Sequence, residues 1–109
     1  MTPEEVRALA LSLPGTTEQP HHERTSFRVG GRIFATMPPD GESVNIMLGD
    51  EDARAAAEEH SDAVSLLWWG RKLSGVTVDL ARVDAPALAE AVRELLQEAW
   101  ARRAPRERR

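Results

Sequence analysis

The sequence predicts an α+β fold, a two-layer sandwich with a mainly antiparallel sheet and helices on one face. Three observations lead there. Gly30-Gly31 sits between two β-rich runs inside Arg24–Met37, the mark of a hairpin with a two-residue loop. Three other stretches repeat apolar residues at helical spacing. The breaks between successive strand-like runs are too short for the crossover that parallel strands need.

The elements follow in the order α-β-β-β-α-(β)-β-α. Thr2-Pro3-Glu4-Glu5 opens a helix: Thr2 can cap, Pro3 suits the first helical position and Glu5 completes a capping box. Val6, Leu9, Ala10 and Leu13 form its buried stripe, and Leu13-Pro14-Gly15 ends it. Thr16–Glu23 reads as a polar loop. The hairpin comes next. With Gly30 and Gly31 at the turn, Val29 is expected opposite Arg32, Arg28 opposite Ile33 and Phe27 opposite Phe34. One face would then carry Thr25, Phe27, Val29, Arg32, Phe34 and Thr36, and the Phe pair makes it the core face. The other would carry Arg24, Ser26, Arg28, Ile33, Ala35 and Met37, a mixture suited to an open or partner-covered side.

Pro38-Pro39-Asp40-Gly41 breaks the second strand, and Ser43–Leu48 alternates as a third strand beside it. Gly49-Asp50-Glu51-Asp52 starts a helix whose acids complement its positive end and whose apolar face is Ala53, Ala56 and Ala57. Ala63–Trp69 fits either a short strand or a buried loop. Gly70–Gly75 reads as a loop holding Arg71 and Lys72, and Val76–Leu80 as the next strand. Asp84-Ala85-Pro86 opens the longest helix, with Leu88, Ala91, Val92, Leu95, Leu96, Ala99 and Trp100 on one face.

The 109 residues suit one domain, expected over 1–100, with a basic, mobile tail over 101–109. No apolar run approaches a membrane span, and Glu4 and Glu5 stand where a signal peptide needs positive charge. The absence of cysteine removes disulfides, thiolate metal sites and a cysteine nucleophile, which fits a cytoplasmic protein. The net charge of −4 is uneven. Five arginines and one glutamate in 101–109 contribute +4, so the other 100 residues sum to −8. An acidic body binds nucleic acid only through a local cationic patch.

No reaction is legible. Gly30-Gly31 lies between strands rather than ahead of a helix, so it is not a phosphate loop, and there is no GxSxG. No catalytic residue and no cofactor are assigned. His21-His22-Glu23, with His60 as a distant third ligand, lacks HxH or HExxH spacing, so no metal is assigned. Trp68 and Trp69, adjacent on a strand, should point opposite ways, one into the core and one toward the surface where it could stack on a base. The binding candidates are Arg24, Arg28 and Arg32 on the hairpin, with Arg71 and Lys72 from the later loop, all able to meet phosphates.

EEVRALALSLPGTTE, then HHERTSFRVGGRIFATM, then a glycine and Arg/Lys loop before a strand and a long last helix together resemble the MmcQ/YjbR family of small bacterial proteins over nearly the whole chain. The SFRVGGRIFA hairpin is the most specific part. The resemblance implies a compact fold similar to bacterial frataxin homologues and secretion chaperones. It also implies a DNA-binding label that rests on likeness to a double-wing domain, and no catalytic residues. The chain departs from the family in having no Trp in Arg71–Val76; Trp68-Trp69 lies just upstream. The expected function is therefore non-enzymatic DNA binding, with the alternative of a protein-interaction or chaperone-like module, or self-association, on the open sheet face.

Overall fold

The computed structural model describes residues 1–106. Its elements are α1 (Pro3–Ser12), β1 (Thr17–His21), β2 (Arg24–Val29), β3 (Arg32–Met37), β4 (Ser43–Met47), α2 (Asp50–Glu59), β5 (Val64–Trp69), β6 (Lys72–Asp79), a 3-10 turn (Leu80–Arg82) and α3 (Pro86–Arg103). The six strands form one antiparallel sheet in the order β1-β2-β3-β4-β6-β5. The helices pack on one of its faces, α3 over β2, β3 and β4, α2 over β5 and β6, and α1 against α3. The α+β sandwich is as the sequence predicts. No helix among the described residues is long and apolar enough to cross a membrane.

Local chemistry accounts for the helix ends. The Glu5 amide donates to the Thr2 hydroxyl at 3.1 Å while the Thr2 amide donates to the Glu5 carboxylate at 3.2 Å, so the capping box is complete. Helix α2 starts at Gly49 without a side-chain cap, and Asp50, Glu51 and Asp52 offset its positive end. Val6 and Ala10, Ala53 and Ala56, and Val92, Leu96 and Ala99 are the buried residues of the three helices. They meet Phe27, Phe34, Val44, Ile46, Val76 and Val78 of the sheet. The small residues on α2 let its axis lie close to the strands.

Three expectations change and one open alternative is settled. Thr17–His21, read as loop, is the edge strand β1, paired with β2 from Thr17 opposite Arg28 to His21 opposite Arg24. Its sequence TEQPH has no apolar alternation because Pro20 and both faces lie at an edge. Ala63–Trp69 resolves as strand, β5. Lys72 to Ser74, read as loop, are already part of β6; the turn between β5 and β6 is Gly70-Arg71. The last helix continues through Arg103, past the boundary expected at residue 100. Beyond it, the Pro105 side chain packs on the hairpin tip so closely that a Cβ on Gly30 would lie 2.9 Å away. The final residues of the tail, 107–109, lie outside the described residues.

The hairpin register also differs. A bulge between Phe27 and Arg28 sets Phe27 opposite Ala35, not Phe34, and Thr25 opposite Met37. Phe34 is the extra residue, and it is fully buried together with Phe27 and Ala35. Ala35 and Met37 thereby join the core side, and Thr36 moves opposite Ser26 on the open side. The inserted residue lets both phenylalanines enter one core, which a regular ladder with this sequence would also allow, but with Ala35 and Met37 wasted on solvent.

Candidate functional site

The face of the sheet away from the helices is built from a continuous polar row. Gln19, Ser26, Thr36, Asn45, Thr77 and Ser65 stand in register across all six strands. The row is internally wired. Ser26 Oγ donates to the Gln19 carbonyl at 2.7 Å, and Thr77 Oγ1 donates to Asn45 Oδ1 at 2.7 Å. With its oxygen occupied, the Asn45 amide nitrogen has no protein acceptor among the described residues. Each strand contributes one member, so the row is visible only once register is known.

Over this row lies a trough of about 790 Å³. His21, Arg24, Ile33, Leu67 and Trp69 line it with Thr36 and Asn45, and His22 and Glu23 close its far end. The His21 and His22 rings stand 4.6 Å apart at the β1–β2 turn, where His22 has φ 58°. His60 ends α2 in the helix layer and does not join them. Among the described residues no group of three or more His, Cys, Asp or Glu is placed to hold a metal.

The two tryptophans depart from expectation. Neither is core: Trp68 is 47% and Trp69 58% exposed. The β5–β6 register shifts between Leu67 and Trp68, so that Trp68 stands opposite Leu73. Trp68 turns to the helix side, where the Arg54 guanidinium lies 5.8 Å from its ring centroid. Trp69 faces the trough, opposite Lys72 in the β5–β6 ladder.

The five candidate cations divide into two sets. Arg24 and Arg28 lie on the open face of β2, and Arg28 Nε donates to Ser26 Oγ at 3.0 Å, which fixes it against the polar row. Arg71 and Lys72 lie at the β5–β6 turn, beside Trp69. Arg32 stands at the hairpin tip opposite Val29, at the same end of the sheet as Arg71, and not on the open face with Arg24 and Arg28. None of the five has an ion-pair partner among the described residues.

Charge is segregated by layer, which explains how an acidic chain can present a cationic side. The three helices hold ten carboxylates and five cations; the six strands hold two carboxylates and four cations. Both strand acids are engaged: Glu18 pairs with Arg7 of α1 at 2.6 Å, and Asp79 with Arg82 at 3.7 Å. The repulsive side is the cleft between α2 and α3, lined by Asp52, Glu59, Glu90, Glu94 and Glu98. There, desolvation raises the Glu98 pKa above its ordinary value, helped by the charges of Asp52 and Glu94. Arg93 holds the neighbouring Glu90 below its ordinary value through a side-chain hydrogen bond.

Sequence reasoning named the five cations but not the trough. Thr36, Asn45, Leu67 and Thr77 carry no motif, and their only signal was alternation within each strand. Comparison with known proteins bears on the fold. A family model described as YjbR matches residues 11–102. The crystal structure of Deinococcus radiodurans protein DR2400, with a DUF419 family domain, superposes with a TM-score of 0.74 at 24% identity, covering 91% of this chain and 75% of that one. No curated protein matches the chain.

Proposed function

The chain belongs to the YjbR family, and from that premise we propose that it is a non-enzymatic DNA-binding domain acting through the open face and turn end of its sheet. One observation carries the reading: the strand-layer cations stand without carboxylate partners among the described residues, while ten carboxylates stand on the helices of the opposite side. A polyanion approaching the sheet meets Arg24, Arg28, Arg71 and Lys72, and one approaching the helices is repelled. Arg28 is the best prepared, because Ser26 already orders its guanidinium. The same reading places the protein in the cytoplasm with the DNA it would meet.

Phosphate contacts make affinity fall with salt. If these four cations engage duplex phosphates, the slope of log K against log salt is about −3.6, and Arg28→Ala reduces its magnitude by roughly one. Fluorescence anisotropy of a labelled duplex from low to moderate salt measures both. An absence of binding at low salt at concentrations on the order of tens of micromolar overturns the reading.

A second reading, a protein-interaction module, is favoured by the exposed Trp68 and Trp69, since solvent-exposed indoles are frequent anchors of protein interfaces. They end an uncharged edge strand, VSLLWW, open to pairing. Size-exclusion with light scattering separates a self-associating chain from a monomer.

A further inference from the structure

We infer that the trough takes an unpaired, single-stranded polynucleotide, with Trp69 as the platform for one base. This rests on the DNA-binding reading and narrows it. A duplex can use only part of this surface. Its bases are stacked inside, so its phosphates need cations but its exterior has no use for an exposed indole. A single strand needs both, since stacking on aromatic rings and a cationic track for the backbone supply most of its affinity.

The trough offers that combination. Trp69 is more than half exposed and lies on the same strand as Leu67, which extends its apolar surface, while Ile33 of β3 lines the trough further across the sheet. Lys72 is its register partner across the β5–β6 ladder, so a cation stands where the phosphate of a base stacked on Trp69 would lie. Arg24 and Arg28 lie four strands away, at spacings of about 4.8 Å per strand, and mark the other end of a backbone path across the sheet. Between the two ends the Asn45 amide, with its donor unused, can meet a base edge. The charge of the ends and the polarity of the middle both suit a strand laid across the sheet with its bases turned down. DNA and RNA strands share this chemistry, and none of the contacts just described depends on a 2′-hydroxyl.

The test uses the full chain with three fluorescent probes of about 15 nucleotides: oligo-dT, oligo-rU and a mixed-sequence duplex. The expected result is tighter binding of at least one single strand than of the duplex. Trp69→Ala should weaken that strand about 5- to 150-fold, the loss typical of one stacked base, and change duplex binding less than twofold. The ratio of dT to rU affinity tells which strand is the natural one. Trp68→Ala, on the helix side, should leave all three affinities unchanged; a melting curve for each variant confirms that both remain folded. Duplex binding equal to or tighter than both single strands, or a Trp69→Ala variant that keeps full single-strand affinity, overturns the inference and leaves the DNA-binding reading standing. Failure of all three probes to bind removes both.

Discussion

Replacing Gly75 by alanine should disable the sheet where β6 joins β4 and β5, opposite Leu67 of the trough. Gly75 stands opposite Met47 of β4 on one side and Leu67 of β5 on the other. A Cβ there would lie 2.0 Å from the Ile46 carbonyl oxygen and 2.9 Å from the Leu48 amide nitrogen, both backbone atoms with no rotamer to yield. Ordinary contact begins more than an ångström further out, so β4 and β6 must part. That parting takes the Leu48 amide from the Ser74 carbonyl, now at 3.2 Å, and disrupts the Met47–Gly75 pairing. Two net hydrogen bonds are worth about 2 kcal/mol. The positive φ of 156° adds about 1–3 kcal/mol of backbone strain for a residue with a Cβ. The sum, about 3–5 kcal/mol, is a large share of the roughly 5–15 kcal/mol that holds a domain of this size folded.

Gly31→Ala separates the clash from the strain. Gly31 has φ 78°, but a methyl group added there would meet nothing within 4 Å, so only the backbone term of about 1–2 kcal/mol should appear. Urea titration of both variants, followed by circular dichroism, reads the difference. A Gly75→Ala loss no larger than that of Gly31→Ala, with an unchanged denaturant slope, would refute the close approach of β4 and β6.

Three further outcomes follow from single residues. Phe34→Ala, at the bulge and fully buried, should cost about 3–5 kcal/mol in the same titration; a loss under about 1 kcal/mol would place Phe34 outside the core. Glu98 carries a raised pKa in the fold, so its favourable contribution is complete below the ordinary 4.5 and is lost as pH rises through the raised value. Glu98→Gln should therefore melt higher than the parent near neutral pH, with the gap closing toward about pH 4, and a gap constant across that range counts against the acidic cleft. Arg28→Ala should lower the salt dependence of DNA binding while leaving the melting temperature within about 2 °C, because Arg28 is not part of the core; a large fall in melting temperature would mean that its bond to Ser26 is structural.

The amino-acid order alone determined what depends on near neighbours. Glycine pairs permit tight turns, Thr2 and Glu5 cap a helix within one turn of chain, and apolar spacing marks each buried face, so the α+β class and most elements were legible from Arg24–Met37 outward. Edge strand β1 was hidden because TEQPH forms a strand through its partner β2, not through its own pattern. The bulge at Phe27 and Arg28 was hidden for a related reason: a one-residue insertion is fixed by how Phe34 fits the core between sheet and helices, and it shifts Ala35, Thr36 and Met37 to new faces. Both tryptophans came out exposed, Trp69 because it lies on the face of the sheet that no helix covers and Trp68 on the helix side beside Arg54. Tertiary structure alone decided the site. Gln19, Ser26, Thr36, Asn45, Thr77 and Ser65 are distant in the chain and become one row only through strand pairing. The separation of acids onto helices and unpaired cations onto strands likewise exists only after the two layers pack, since charge acts through space and the sequence records only its total.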